Sequence, residues 1–232
     1  MNPSQVADSY DRIAERWTSA KFDRSNGIQQ LKRAIEFSAH QGAALDVGCG
    51  SGGRFFDLLH AQGFTAEGLD ISPEMLRLAR ETHPHVTLYQ ADICDWVAPN
   101  SYALISAWDS IWHVPLLLQE SVLLKLCTAL APGGVIIFTA GGVETSGERR
   151  DAHMGVPMYT ASLGVPRLCS LLTEAGCSLR HFEYDQHPQA HVYFIAQRAW
   201  LGSQPDDLTA VGHLKKTSRT IRPQRPTPSS SR

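Results

Sequence analysis

The chain has 232 residues, 43% of them apolar and 19% charged, with a formal net charge of −2. Those proportions exclude a disordered, collagen-like or membrane-spanning chain and describe an ordinary globular protein. Its five cysteines (Cys49, Cys94, Cys127, Cys169, Cys177) are odd in number and lack C-x-x-C spacing, so neither a disulfide framework nor a zinc site is expected, and no other metal set stands out.

The first residues mix charge and polarity without the apolar core of a signal peptide, and no later run approaches a membrane span, so a cytoplasmic location is expected. Residues 4–18 place Val6, Tyr10, Ile13, Ala14 and Trp17 at helical spacing, which predicts an amphipathic helix; Ile28, Leu31 and Ile35 predict a second over 28–37. An alternation follows. "AALDV" reads as a strand, 54–61 as a helix, "TAEGLD" as a strand, and Ser72-Pro73-Glu74 opens a helix with Ser72 as N-cap and Pro73 in the first turn. "VTLYQ", "ALISAW" and "VIIFTA" read as buried strands, the last two separated by a helix over about 116–130 that Pro132-Gly133-Gly134 terminates. Short apolar strands alternating with helices predict an α/β fold with a parallel sheet covered on both faces.

The end of the pattern differs. A helix near 165–175, stopped by Gly176, precedes "SLRHFEYD" and "HVYFIAQ", whose short connection predicts an antiparallel hairpin, since a parallel crossover needs a dozen residues or more. Beyond 200 the composition turns to Pro, Ser, Thr and basic residues, which predicts a disordered tail over 201–232. Residues 203–232 hold six Lys/Arg against two Asp, leaving −6 on the remainder, so a nucleic-acid partner is not expected. The expected layout is a helical cover over 1–40, a cofactor-binding domain over 41–200 and the tail.

"ALDVGCGSGGRF" (44–55) carries two overlapping fingerprints: Gly48, Gly50 and Gly53 fit a dinucleotide turn, while Asp46, Gly48, Gly50 and Gly52 fit an S-adenosylmethionine loop. Glycines alone do not discriminate, because either ligand needs close approach to backbone amides at a helix start. Asp46 does better: a carboxylate ending the first strand repels a pyrophosphate but suits a loop that receives an ammonium group. Asp70 ends the second strand, where it can accept from both ribose hydroxyls, and Asp92 follows the third, where it can accept from an adenine amino group. All three fall on the carboxyl edge, where open α/β sheets bind ligands.

With the terminal hairpin, residues 1–199 resemble the class I S-adenosylmethionine-dependent methyltransferases, especially the small-molecule branch of the UbiE/UbiG type. The resemblance rests on "LDVGCGSG", "GLDIS", "QADI", "SAWDSIWHV" and "LAPGGVIIF". It implies a Rossmann-like seven-stranded sheet of order 3-2-1-4-5-7-6 with strand 7 antiparallel, and S-adenosyl-L-methionine as cofactor. It also implies that Gly48, Gly50 and Gly52 line the methionine end and Asp46 acts through loop contacts. Asp70 holds the ribose, Asp92 and the Ile93 backbone hold adenine, and Ile71 packs on the adenine face. The expected acceptor is a small molecule. His113 in "WDSIWHVP" is the candidate general base, with Trp108, Asp109 and Trp112 beside it. The long segment 141–160, with Arg149, Arg150, His153 and Tyr159, is expected to fold over the acceptor as a lid opposite Tyr10 and Trp17. Two rivals remain: an NAD-linked oxidoreductase, and a cofactor-bound regulatory module without catalysis.

Overall fold

The computed structural model describes residues 1–200, and the expected basic tail over 201–232 lies outside the described residues. Seven strands form the main sheet: β1 (Ala43–Val47), β2 (Thr65–Asp70), β3 (Thr87–Gln90), β4 (Tyr102–Ala107), β5 (Leu130–Gly141), β8 (Cys177–Glu183) and β9 (His191–Arg198). Their order is β3-β2-β1-β4-β5-β9-β8. Because β8 and β9 are its sixth and seventh strands, this is the expected 3-2-1-4-5-7-6. The first five run parallel, and β9 lies antiparallel to both β5 and β8.

Alternation along each strand builds two cores, one per face. In β5, Ile136 and Phe138 join Leu45, Ile105 and Phe194 under helices α6 (Leu116–Ala129) and α7 (Val165–Glu174); Val135 and Ile137 join Leu104 and Ile195 on the opposite face. That second face is covered by α3 (Ile28–Phe37), α4 (Phe56–Ala61) and α5 (Pro73–Thr82). The Ser72 hydroxyl accepts from Met75 N at 3.0 Å, which caps α5 as its sequence predicts.

Three expectations change. The helix over 4–18 is two pieces, α1 (Pro3–Asp11) and α2 (Glu15–Thr18), because i−3 bonds from Ile13, Arg16 and Trp17 tighten the chain between and after them. The tightening leaves Asp11 at the start of α5, where its Oδ1 accepts from Ser72 Oγ at 2.5 Å and Glu74 N at 3.2 Å. Pro132-Gly133-Gly134 does not end α6; the helix stops at Ala129, and β5 absorbs the turn as an irregularity between Leu130 and Val135. The segment 141–160 is not an open loop. It contains β6 (Gly147–Asp151), paired antiparallel with β7 (Met158–Ser162) in a separate ribbon.

Candidate active site

At the carboxyl edge of the parallel strands lies a cavity of about 430 Å³. Gly48, Cys49 and Gly50 form its floor: Gly48 N and Cys49 N both donate to Leu69 O, at 2.7 and 3.1 Å, so the loop is bonded to the end of β2. Gly50 N donates to Asp70 Oδ2 at 2.9 Å, and Ser72 N to Oδ1 at 2.9 Å. Burial raises the Asp70 pKa against these backbone bonds. With two acceptor sites on each oxygen, the carboxylate keeps room for a ligand's donor beside these backbone bonds.

The two glycine fingerprints separate physically. Gly50 has φ +64° and open space where a Cβ would point, so the loop presents bare backbone to the cavity. Gly53 does not line the cavity; a Cβ there would fall 1.8 Å from the Phe56 ring, so this glycine serves helix packing. Ser51 Oγ, on the cavity wall, is buried and the sole buried side-chain polar atom without a partner among the described residues. Asp46 lies off the wall: it accepts from Ser106 Oγ at 2.6 Å, and burial pushes its pKa up to about 6.

Ile71, Asp92 and Ile93 line one end of the cavity. Asp92 Oδ1 accepts from Cys94 N at 2.8 Å, closing a tight turn. From α6, Lys125 Nζ donates to the carbonyls of Ile93, Cys94 and Trp96 at 2.7, 2.7 and 3.0 Å. One ammonium thus holds three carbonyls of this turn, a contact that the apolar helix pattern around Lys125 did not advertise.

At the other end stand Tyr10, Trp17, Trp108, Asp109, Trp112 and His113, all on the wall as expected. His113 Nδ1 donates to Tyr159 O at 2.6 Å, which fixes the tautomer. Its Nε2 then accepts from Tyr10 Oη at 2.8 Å and Trp112 Nε1 at 3.1 Å. Burial lowers the His113 pKa, so the ring is neutral and both nitrogens are engaged by protein. Burial likewise raises the Tyr10 pKa, which keeps its hydroxyl a donor.

Arg149 and Tyr159 are not on the wall, contrary to expectation. Arg149 is exposed on β6 and paired with Asp151 at 2.9 Å; His153 pairs with the same carboxylate, and Arg150 is exposed beside Glu148. Tyr159 is buried, donates to Glu148 Oε2 at 3.0 Å and accepts from Leu116 N at 2.9 Å, so it offers His113 only its carbonyl. A charged ribbon gains more from solvent than from an apolar chamber, so the expected lid contributes only Met154 to the wall.

Sequence reasoning missed Phe22, Arg24, Asn26, Arg54 and His191, which also line the cavity. Arg54 Nη1 donates to Asn26 O at 2.9 Å and stands 3.9 Å from Asp109 Oδ2. Arg24 Nη1 lies 3.4 Å from where a Cβ of Gly52 would be. The signal for His191 was present: an antiparallel strand begins at the edge where its parallel neighbours end, so the first residue of the predicted hairpin's second strand belongs at the site.

A family model described as a methyltransferase domain matches residues 19–200. The ubiquinone biosynthesis O-methyltransferase of Vibrio parahaemolyticus is 30% identical over 152 residues, covering 60% of this chain and 63% of that protein. The trans-aconitate 2-methyltransferase of Rhodopseudomonas palustris is 38% identical over 128 residues, covering 54% of this chain and 48% of that protein. Thus the chain spans under two thirds of these relatives' length. Among solved structures, the magnesium protoporphyrin IX methyltransferase of Synechocystis PCC 6803, with bound SAM, superposes with a TM-score of 0.65 at 14% identity, covering 85% of this chain and 97% of that one. At that identity the likeness speaks for the fold.

Proposed function

Because the chain belongs to the methyltransferase-domain family, we propose that it uses S-adenosyl-L-methionine to methylate a small-molecule acceptor. The observation that carries this reading is one continuous cavity joining a carboxylate-braced glycine loop to an aromatic chamber. The residues present fit the cofactor. Gly50 leaves space, the Ser51 hydroxyl awaits a partner, and Asp70 and Asp92 keep acceptor sites for hydroxyl and amino donors.

When bound, S-adenosyl-L-methionine supplies an electrophilic methyl carbon attached to a cationic sulfur. Asp70 accepts from the ribose hydroxyls, Asp92 and the Ile93 backbone recognise adenine, and Ile71 packs on its face. Gly48, Gly50, Ser51 and Gly52 surround the methionine end, and Asp46 lies in the strand that leads into this loop. Arg24, whose Nη1 lies beside Gly52, faces the same end and suits a carboxylate. Tyr10, Trp17, Trp108 and Trp112 keep water from the acceptor and align it with the methyl group, the principal task in an in-line displacement. His113 holds Tyr10 and Trp112 in that wall. The reading includes a cytoplasmic location; no helix among the described residues is long and apolar enough to cross a membrane.

Thermal shift tests the reading. S-adenosylhomocysteine at a hundredfold its Kd should stabilise the protein by about 2.7 kcal/mol, and NAD should not. Asp70→Ala should weaken S-adenosylhomocysteine binding by roughly 1.5–3 kcal/mol, measured by calorimetry. Stabilisation by NAD alone would refute the reading, and binding without methyl transfer to any member of a metabolite extract would favour the regulatory module.

A further inference from the structure

The acceptor end of the cavity contains an ionisable chain that these roles leave unused. His191, the first residue of β9, has a side chain 7% exposed; its Nδ1 lies 2.5 Å from Asp185 Oδ1 and its Nε2 3.1 Å from Asp109 Oδ1. Asp185 is 6% exposed, sits behind the wall, and accepts from Gln30 Nε2 at 3.0 Å through its other oxygen. Asp109 opens onto the cavity with 26% of its side chain exposed. Its backbone has φ +53°, a left-handed conformation that a non-glycine residue keeps only where its surroundings enforce it. Here Asp109 N donates to Thr139 Oγ1 at 2.8 Å and Asn26 Nδ2 donates to Asp109 Oδ2 at 3.1 Å.

Burial lowers the His191 pKa, but Asp109 and Asp185 outweigh it and hold the imidazole above its usual value. The groups facing His191 are Trp108, Asp109 and Trp112 from the segment after β4, and Asp185 and Gln186 from the connector before β9. The charges of Asp109 and Asp185 are matched by His191 and Arg54, so an ammonium acceptor gains little net attraction, whereas a neutral hydroxyl finds a carboxylate oxygen. His113, by contrast, already has two donors on its accepting nitrogen.

Resting on the methyltransferase reading, we propose that Asp109 is the proton acceptor for a hydroxyl-bearing methyl acceptor, with His191 and Asp185 as the pair that positions its carboxylate. The hydroxyl oxygen forms the new O–C bond while the methyl carbon's bond to sulfur breaks, its electron pair remaining on sulfur. The hydroxyl proton passes to Asp109 Oδ2. The positive charge lost at sulfur balances the negative charge lost at Asp109, so the chamber ends with the net charge it began with.

The test uses the full chain saturated with S-adenosylhomocysteine and 4-nitrophenol as the hydroxyl probe, whose visible phenolate band reports its ionisation. In the wild-type complex the bound probe's ionisation constant should fall about threefold or more below its value in free solution, because a hydroxyl donating to a carboxylate retains its proton. Asp109→Asn should abolish that shift. Asp109→Gly, which suits the left-handed backbone, should do the same and serves if the Asn variant misfolds. His191→Asn should lower the constant by about a further threefold, since it removes the cation beside Asp109; a purely structural role for the ring would leave it unchanged. A constant equal to that in free solution, one indifferent to Asp109→Asn, no binding of 4-nitrophenol, or benzylamine binding more than about tenfold tighter would each overturn the proposal. Failure of S-adenosylhomocysteine to bind the wild-type chain would instead sink the methyltransferase reading on which it rests.

Discussion

Asp46 shows how one side chain can couple the site to stability. Its folded pKa of about 6 lies above the usual aspartate value of 3.8, so the native state binds the proton more tightly than the unfolded chain. The wild type therefore loses stability as pH rises from about 4 to 6, by up to ~3 kcal/mol, and levels off above. Asp46→Asn, which can still accept from Ser106 Oγ, should remove that dependence and gain on the wild type across the same window in urea unfolding. His113 makes the opposite prediction. His113→Ala strands the Tyr10 hydroxyl, the Trp112 indole and the Tyr159 carbonyl, so it should cost about 1–3 kcal/mol by the same measurement, with the N-terminal helix loosened. Positions were legible where they follow from the end of a parallel strand, as for Asp70 and Asp92, which both line the cavity. Asn26, Arg24 and Phe22 lie in an irregular stretch between helices, where no period assigns a direction to a side chain. Tyr159 was misread because sequence does not say which way a ribbon turns its rings.

Elements with a clear period were readable, and elements defined by what they touch were not. Leu31 and Ala34 fix the buried face of α3, and its bounds match the predicted ones. By contrast "GERRD" in β6 is exposed or half-exposed throughout, so no alternation of apolar and polar residues marks it as a strand. The α6 helix shows the same contrast in function: Leu123 and Leu126 fill the core, while Lys125 reaches out to the Ile93 loop. Lys125→Met removes three charge-assisted bonds from the loop expected to hold adenine. It should weaken S-adenosylhomocysteine binding by roughly 1–3 kcal/mol in calorimetry while far-UV circular dichroism stays native. Lys125→Arg, a bulkier fork in a site shaped for a point charge, should recover only part of the affinity.

For the whole molecule, chain order and connection length carried most of the architecture. A parallel sheet with a reversed last pair follows from the alternation and from one connection too short to cross over, and the observed β9 between β5 and β8 agrees. What pattern did not supply was the depth of the chamber, because that depends on how α1 and the β6–β7 ribbon lean over the sheet edge. The reversal of β9 also divides the molecule for an engineer. The parallel strands each enter from the far edge, so lengthening the chain before them leaves the ligand edge alone. The connector 184–190 opens directly onto it, carrying Asp185, Gln186 and Gln189 and leading into His191. Exchanging that one connector for a sequence of different length should change which acceptors are methylated, read in a product screen, while S-adenosylhomocysteine affinity stays within about threefold, because none of the loops expected to hold it is altered. The donor half and the acceptor half of the pocket can then vary independently, and new acceptor preferences are reachable by insertion at a single hairpin.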